Sequence, residues 1–412
     1  MPGRVLLTDA LLLDPEADAP ARGSLLLEGG RIAARLPAGT VAPEGVRSLS
    51  VAGLPVSPGL LDLHDHGDLV LRPAADAVLA MRQGSASKAR HGVTGFLPTT
   101  LAWPGPELLE RVGEIAQAIG GVGTAEASWP GAVPLGIHLE GPWIRAEAAG
   151  AQPARGIRPY DAVEGQALFE RAAGAVRMVT LAPEIPGAEA LLRELARRGV
   201  VSAIGHTLAG SEDVERAVGE GARHVTHLFN AMGPLHQRGP GAAAGLLAEE
   251  RLSCDVIADG AHVHPAWLRI AARVKGEKLL LITDRIEPPA GMAVPLEDAS
   301  LAWPGTASIH SDGIAWRLPD GRLAGSRLTL AEAIRNCVGW RVMTRLEAVR
   351  ACTLAPARLL GIEARRGTLR PGARADLVLW SDAGEVLATW VGGRLVASAP
   401  VAPAAVTALA GG

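Results

Sequence analysis

The sequence predicts an α/β protein in which a (β/α)₈ barrel, the TIM barrel fold, carries a small β-sandwich domain built from both chain ends. In the middle of the chain, eight short apolar runs alternate with amphipathic helical patterns. This alternation is typical of a parallel sheet covered by helices. Strand-like segments without a helical pattern occupy both ends. We therefore assign residues 1–55 and 356–400 to the sandwich, 56–355 to the catalytic barrel and 401–412 to a mobile tail.

The two chain ends consist of short strands separated by turn residues. At the first end, the β-like segments are residues 4–13, 24–27 and 31–36. At the second end, they are residues 375–380, 386–391 and 395–396. Two β-rich ends that flank a long middle section predict one small domain made from both.

The middle section contains the strands and helices expected of the barrel. The apolar runs are residues 59–63, 93–97, 133–139, 176–181, 200–204, 224–228, 254–258 and 279–282. Helical patterns between them cover residues 107–119, 188–198, 211–220 and 265–274. A doubly wound open sheet is the structural alternative. Because no Gly-rich fingerprint follows an early strand, dinucleotide binding is disfavoured.

Composition excludes several classes of protein. The 412 residues are 48% hydrophobic and 20% charged, with a formal net charge of −3. Disorder is therefore not expected, and neither nucleic acid nor an anionic membrane surface is predicted as a partner. Three scattered cysteines favour a reducing cytoplasm over a disulfide framework. We expect no signal peptide and, in the absence of an apolar run of about 18 residues, no membrane span.

Ionisable residues follow five of the eight apolar runs. In a barrel, the carboxyl ends of the strands carry the catalytic groups. Burying such groups in an apolar strand without partners is costly. The residues at these ends are His64, His66, Glu140, His206, His227 and Asp284.

This set of residue types points to a metal centre. His64 and His66 are two residues apart and therefore face the same side of a strand. Imidazoles with a carboxylate suit Zn²⁺ most, with Fe, Co or Mn as other divalent candidates. One or two ions are possible. A bound ion lowers the pKa of water to about 7, and an adjacent carboxylate such as Asp284 can move the proton. Each residue alone would more often be a packed or turn residue; their joint placement favours the metal.

The motifs resemble those of the amidohydrolase superfamily, and in detail those of the N-acetylglucosamine-6-phosphate deacetylases. The matching segments are residues 58–67 (PGLLDLHDHG), 136–142 (GIHLEGP), 179–184 (VTLAPE), 205–207 (GHT), 226–240 (THLFNAMGPLHQRGP), 257–263 (IADGAHV), 283–284 (TD), 323–329 (LAGSRLT) and 371–378 (PGARADLV). The segment 226–240 is specific to the deacetylases, whereas the first and last segments support only the superfamily.

The resemblance implies a role for each matching residue. Glu140, His206 and His227 match the principal metal ligands, and His64 and His66 match a pair that holds a second ion in some members. Asp284 matches the catalytic acid/base. The substrate contacts implied are Ala151, Gln152, Asn230, Ala231, Arg238, His262, Leu323, Ala324 and Gly325, of which the last three form a loop.

The implied reaction is removal of the acetyl group from N-acetylglucosamine 6-phosphate by a metal-activated water. Arg238 and His262 are expected to bind the phosphate. Family members supply the histidine from the neighbouring subunit, which implies a homodimer with His262 contributed across the interface. The sequence leaves a galactosamine derivative open.

Two departures from the family pattern lie near the expected chemistry. Gln152 stands where a histidine is usual, and glutamine can donate a hydrogen bond but does not titrate near neutral pH. Arg285 follows Asp284 where a small residue is usual. These two departures leave open another amidohydrolase activity, that of an N-acyl amino acid deacylase, a cyclic amidase or a deaminase. A non-catalytic binding barrel is the second alternative.

Overall fold

The computed structural model describes residues 4–121, 128–239, 241–289, 292, 297–403 and 406. Its strands up to the barrel closure are β1 (Val5–Leu12), β2 (Ala21–Glu28), β3 (Arg31–Pro37), β4 (Arg47–Ser50), β5 (Pro55–Pro58), β6 (Leu60–Gly67), β7 (Val93–Pro98), β8 (Val133–Pro134), β9 (Ile137–Glu140), β10 (Val176–Leu181), β11 (Val201–Ile204), β12 (His224–Val225), β13 (Ser253–Ile257) and β14 (Leu279–Ile282). The later strands are β15 (Arg285–Ile286), β16 (Glu297–Trp303), β17 (Thr306–Asp312), β18 (Ala315–Arg317), β19 (Leu323–Ser326), β20 (Leu377–Trp380), β21 (Val386–Val391) and β22 (Arg394–Ser398).

The helices cover the barrel and follow it. They are α1 (Ala77–Arg90), α2 (Gly105–Gly121), α3 (Ala162–Arg171), α4 (Ala188–Arg198), α5 (Ser211–Gly219), α6 (Gly241–Ala248), α7 (Pro265–Lys275), α8 (Leu330–Gly339), α9 (Arg345–Cys352) and α10 (Leu354–Leu360). None of the described helices is both long and apolar enough to span a bilayer. Helices α2, α4, α5 and α7 coincide within about two residues with the four predicted patterns, because each has a clear apolar stripe.

The predicted α/β fold with a barrel and a separate β domain is confirmed. Strands β9 to β14 form a parallel sheet in sequence order, and β6, β7 and β8 are parallel neighbours in a second sheet. Two sets of contacts join the sheets into a barrel. Thr100 N donates to His138 O at 3.0 Å on one side, and Asp284 N donates to His64 O at 2.9 Å on the other.

Two predicted strands are shorter than the apolar runs that predicted them. Residues 133–139 are divided between β8 and β9 at Gly136, whose φ of 144° lies outside the range that side chains favour. A Cβ at this position would lie only 2.7 Å from Ala175 O, so glycine is required. The run 224–228 is a strand only at His224–Val225, because His227 adopts a left-handed conformation.

Strands from both chain ends pair in one sheet, with the order β22-β21-β20-β5-β1-β2-β3 and β4 beside β1. The ends meet where β20 runs antiparallel to β5. Leu7, Leu25 and Leu377 belong to the apolar core of this domain. Ala402 and Val406, within the expected tail, are buried against the same core. The other tail positions, 404–405 and 407–412, lie outside the described residues.

A small antiparallel sheet that the sequence did not predict lies at the mouth of the barrel. Strands β16 to β19 pair in order, and β19 also pairs in parallel with β15, which joins β6. We call strands β16–β19 the rim sheet. Its residues 323–325 were expected to form a loop, but they are the strand β19 because they pair with β18.

A buried ion cluster fixes β6 against helix α1. Asp65 lies between two site histidines in sequence and therefore points to the other side of the strand. Lys88 Nζ of α1 lies 2.9 Å from Asp65 Oδ1 and 3.7 Å from Glu287 Oε2. Burial would lower the pKa of Lys88, but these two carboxylates raise it, so the ammonium stays charged.

Replacing Lys88 with Met should destabilise the protein by about 3–5 kcal/mol, because two buried carboxylates lose their partner. Urea denaturation followed by far-UV circular dichroism measures this loss. The exposed Lys278, which donates to Glu250 O, provides the control Lys278→Met, expected to change stability by less than about 0.5 kcal/mol. Equal stabilities of the two variants would contradict the role of the cluster.

Candidate active site

The ionisable residues at the strand ends meet at the mouth of the barrel. His64 and His66 lie in β6, and Glu140 is the last residue of β9. The other three residues come after strands β11, β12 and β14, where the chain turns: His206, His227 and Asp284 have φ values of 49°, 32° and 48°. Non-glycine residues in this left-handed region are strained, and such strain is concentrated at functional sites.

Glu140 lies at the centre of two overlapping groups of potential ligands. Its Oε1 is 3.0 Å from the Nε2 atoms of both His206 and His227. Its two oxygens lie 3.4 Å from His64 Nε2 and 3.3 Å from His66 Nε2. Asp284 Oδ1 lies next to the group that contains His64 and His66. It is 3.3 Å from His64 Nε2 and 3.2 Å from His66 Nε2.

The spacing of these atoms fits a divalent ion. Ligand atoms at the corners of a tetrahedron around Zn²⁺ are about 3.3 Å apart when each is 2.0–2.1 Å from the metal. Neither ring nitrogen of His64 has a hydrogen-bond partner within the described part of the chain, although both are buried. Such an orphaned pair indicates that a partner of another kind belongs there. The predicted metal-binding character of the site is thereby supported, and the ligands are brought together as expected.

Two of the histidines are held in the orientation that a ligand needs. His66 Nδ1 donates to Thr99 O at 3.2 Å, and His206 Nδ1 donates to Ala148 O at 2.8 Å. A proton fixed on Nδ1 leaves Nε2 free to bind a metal. Both Nε2 atoms point towards Glu140, so the two imidazoles are oriented as ligands would be.

The charges of the site attract a cation. Burial would lower the pKa of His66, but hydrogen bonds to Asp284 and Glu140 raise it to about 10. Burial likewise opposes protonation of His227, yet Glu140 raises its pKa to about 9. Burial would raise the pKa of Glu140, and the surrounding imidazoles, His64 first, hold it well below its usual range. The carboxylates therefore favour positive charge here, and a metal ion would displace protons from the histidines.

Gln152 supports the central carboxylate. Its Nε2 donates to Glu140 Oε2, and its Oε1 accepts a hydrogen bond from Ala102 N at 2.7 Å. Both ends of the amide are thus occupied within the protein. The resemblance implied a substrate contact for this side chain; in the structure it lines the cavity, and its amide is bonded to Glu140, a candidate metal ligand.

These groups form the floor of a cavity of about 440 Å³, a size suited to a small molecule. The predicted site residues that line it are His66, Glu140, Ala151, Gln152, His206, His227, Asn230, Ala231, His262, Asp284, Leu323, Ala324 and Gly325. His64 is fully buried beneath the floor. His138 lies deeper still and bonds Leu63 O and Thr180 Oγ1 at 3.0 Å and 2.7 Å.

Three further residues named in the sequence analysis have the following positions. Arg238 is exposed and does not line the cavity of its own chain. His262 does line that cavity, with Nδ1 2.6 Å from Asp259 Oδ2. Arg285 points away from the cavity, where its Nε donates to Glu287 Oε1 at 3.2 Å. Arg285 therefore does not line the cavity, because its guanidinium is bonded to Glu287 and to the carbonyl of Leu328.

Among the residues of the cavity wall that sequence reasoning missed are Trp303 and Arg322. Both belong to the rim sheet or its turns, where no apolar run or family motif marked them. Only the aromatic side chain of Trp303, at the end of an alternating segment, gave a weak signal of a strand.

Comparisons with known proteins agree with this geometry. The model of the amidohydrolase family matches residues 56–396. The chain belongs to the amidohydrolase family. An N-acetylglucosamine-6-phosphate deacetylase of Danio rerio is 36% identical over 358 residues, covering 83% of this chain and 84% of the relative. An N-acetylgalactosamine-6-phosphate deacetylase of Escherichia coli O157:H7 is 33% identical, with 82% and 86% covered.

A solved structure gives the same result. A mutant of the N-acetyl-D-glucosamine-6-phosphate deacetylase from Mycobacterium smegmatis, in complex with N-acetyl-D-glucosamine-6-phosphate, superposes with a TM-score of 0.83 at 32% identity, covering 96% of this chain and 100% of that one. The resemblance to the deacetylases drawn from the motifs is confirmed, and the protein is a hydrolase that acts on an amide bond.

Replacing Glu140 with Ala should remove metal binding altogether, because Glu140 is shared by both groups of ligands. Replacing His206 with Ala should affect only the ion held with His227. Zinc content after reconstitution and desalting, measured by plasma emission, should be at trace level in the first variant and reduced in the second. The surface variant His310→Ala should keep the wild-type content; full zinc content in Glu140→Ala would contradict the assignment.

Proposed function

We propose that the protein hydrolyses the acetamide of N-acetylglucosamine 6-phosphate to glucosamine 6-phosphate and acetate. One observation carries the proposal. The carboxylate of Asp284 lies at the floor of a sugar-sized cavity, within 3.3 Å of two histidines that also contact Glu140. A relative with a similar fold is described in complex with this compound.

The residues present fit two divalent ions. Glu140, His206 and His227 would hold the first, and Glu140 with His64 and His66 would hold the second. Zn²⁺ suits these nitrogen and oxygen ligands best, and Fe²⁺, Co²⁺ and Mn²⁺ are alternatives. When bound, the metal polarises the amide carbonyl and lowers the pKa of water to about 7.

Asp284 moves the proton during the reaction. Burial would raise its pKa, but His64 and His66 lower it, so the carboxylate is ionised at neutral pH and can act as a base. It takes a proton from water as the water oxygen bonds to the amide carbon. It then delivers that proton to the amide nitrogen as the C–N bond breaks. The second proton of the water is released when the new carboxylic acid ionises and is taken up by the amine, so the products are acetate and the protonated amine of the sugar phosphate.

The walls of the cavity bind the sugar. Asn230 and Ala231 lie on one side, and β19 with Leu323, Ala324 and Gly325 lies on the other. Asn230 Nδ2 donates to His227 O at 3.1 Å, which keeps this wall attached to a metal ligand. Gln152 and Ala151 complete the wall near the metal.

A phosphate group needs a cation, and the described residues of the cavity wall offer none that is free of an ion pair. Arg322, the one Lys or Arg among the described residues of the wall, is already paired with Asp320 at 2.7 Å. Arg238 is exposed and outside the cavity. In the proposed homodimer, His262 is contributed across the interface, as the resemblance implies, and Arg238 supplies the positive charge for the phosphate.

The galactosamine derivative is the alternative substrate, because a relative of similar identity acts on it by name. Other amide hydrolases of the same scaffold are disfavoured by the deacetylase-specific segment 226–240, part of which borders the cavity. A non-catalytic barrel would leave the ionised Asp284 without a role.

An Asp284→Asn variant should lose about 10²- to 10⁴-fold in kcat, because the amide side chain cannot accept the proton from water. Release of acetate from N-acetylglucosamine 6-phosphate measures the rate. Asp312→Asn, which alters a half-exposed aspartate paired with Arg317 on the rim sheet, serves as the control and should retain wild-type kcat. Wild-type kcat in Asp284→Asn would overturn the proton-transfer role.

A screen of N-acetylglucosamine and N-acetylgalactosamine, each with and without a 6-phosphate, should show the highest kcat/KM for N-acetylglucosamine 6-phosphate. Arg238→Ala should raise KM for the phosphorylated sugar by roughly 10- to 100-fold, the loss of a charge-assisted hydrogen bond of about 1.5–3 kcal/mol. KM for the unphosphorylated sugar should not change. The exposed Arg251, paired with Glu249, gives the control Arg251→Ala. Equal KM changes for both sugars would refute phosphate recognition by Arg238.

A further inference from the structure

One loop carries hydrogen-bond partners for two of the metal ligands. We call residues 146–152 the site loop. Its Ala148 carbonyl accepts from His206 Nδ1 at 2.8 Å, and its Gln152 side chain donates to Glu140. Partners of this kind orient metal ligands, and their loss typically weakens metal binding 10- to 100-fold. The position of the site loop therefore matters to the metal centre although none of its side chains is assigned as a ligand.

The rim sheet holds this loop through two neighbouring carbonyls. Trp303 Nε1 donates to Ala151 O at 2.9 Å, and Arg322 Nη1 donates to Gly150 O at 2.6 Å. The two donors come from opposite edges of the sheet, the last residue of β16 and the residue just before β19. The carbonyls they bind directly precede Gln152, so both hydrogen bonds act on the backbone that presents this side chain.

The turn after Trp303 packs against the same stretch of chain. Gly305 has a φ of 85°, and a Cβ built on it would lie 3.4 Å from Pro153 Cα. Trp303 itself is 4% exposed, so its ring is fixed by packing and its N–H cannot donate to solvent water instead of the Ala151 carbonyl. Arg322 is held by Asp320, whose Oδ2 lies 2.8 Å from its Nε. These contacts leave the loop little freedom relative to the rim sheet.

We propose that Trp303 and Arg322 are positioning residues for the metal centre, which hold the site loop so that Gln152 and the Ala148 carbonyl orient Glu140 and His206. The inference rests on the proposed function, since it concerns the metal site of that activity. It gives the rim sheet a role in metal binding beyond that of a wall for the sugar.

The same sheet offers matched controls for both residues. Trp316 on β18 also donates its Nε1 to a backbone carbonyl, Ile286 O at 3.1 Å, which lies outside the site loop. Arg317 also pairs with an aspartate and donates to a carbonyl, Gly321 O at 3.1 Å, within its own hairpin. A general weakening of the rim sheet would affect variants of all four residues alike.

The test measures zinc affinity by competition with a chromogenic chelator, in the full chain and without substrate. We expect Trp303→Phe and Arg322→Gln each to weaken zinc binding about tenfold, whereas Trp316→Phe and Arg317→Gln leave it unchanged. Hydrogen exchange should become faster at residues 146–152 in the first pair only. Equal zinc affinities of Trp303→Phe and Trp316→Phe would overturn the proposal.

A double-mutant cycle tests the route through Gln152. In a Gln152→Ala background, Trp303→Phe should cost less zinc affinity than in the wild type, because one of the two contacts that it positions is already gone. Fully additive losses of zinc affinity would show that Trp303 does not act through Gln152. This result would overturn the proposed route from Trp303 through Gln152 to Glu140. Thermal unfolding confirms that each variant is folded, and Gln152→Glu replaces Gln152→Ala if the latter is not. A wild-type protein that binds none of Zn²⁺, Fe²⁺, Co²⁺ and Mn²⁺ would instead contradict the proposed function itself.

Discussion

A buried carboxylate at the mouth of the barrel is the constraint on which the rest of the site depends. Glu140 is 2% exposed, and an ionised group so placed is very costly unless charge and hydrogen bonds compensate it. Compensation comes from the imidazoles of three other strands and from the amide of Gln152. The same proximity raises the pKa of His66 and His227. The cluster therefore favours positive charge, and one divalent ion supplies more positive charge than one proton does.

The barrel supplies the rigidity that this arrangement requires. Three site residues have left-handed backbone conformations, each costing of order 1–3 kcal/mol. A layer of polar contacts below the candidate metal ligands helps to hold these three residues in their left-handed conformations. Thr180 Oγ1 lies 2.7 Å from both His138 Nε2 and Thr226 Oγ1, and Thr283 Oγ1 donates to Asp62 Oδ2 at 2.7 Å. Each contact joins strands of the barrel just beneath a site residue, so the strand ends keep their spacing.

Sequence reasoning was most successful where the signal was local. The eight apolar runs predicted the barrel strands. The residues that end those runs predicted the side chains that meet at the barrel mouth, because a parallel barrel brings all carboxyl ends of its strands to one face. It failed where the outcome depends on distant partners. Nothing in residues 297–326 revealed that they pair as the rim sheet, and nothing near Gln152 revealed that its amide lies between Glu140 and Ala102 N. The roles of Arg238 and His262 as substrate contacts stay predictions, and the chain that each would serve depends on the tertiary position.

Strand β6 has a polar sequence, Asp62-Leu-His-Asp-His66, and yet forms part of the inner wall of the barrel. The partners of its side chains explain why. Asp62, His64 and His66 share one face, where Asp62 accepts from Thr283 and the Nε2 atoms of both histidines face the carboxylates of the site. Asp65 faces the other way and meets Lys88. Shifting the strand by one residue would turn the histidines towards the ammonium and Asp65 towards Glu140, which would bring charges of the same sign together. The metal groups and the ion pair behind them thus specify the same register, so the strand's fold and its chemistry are set by one pattern.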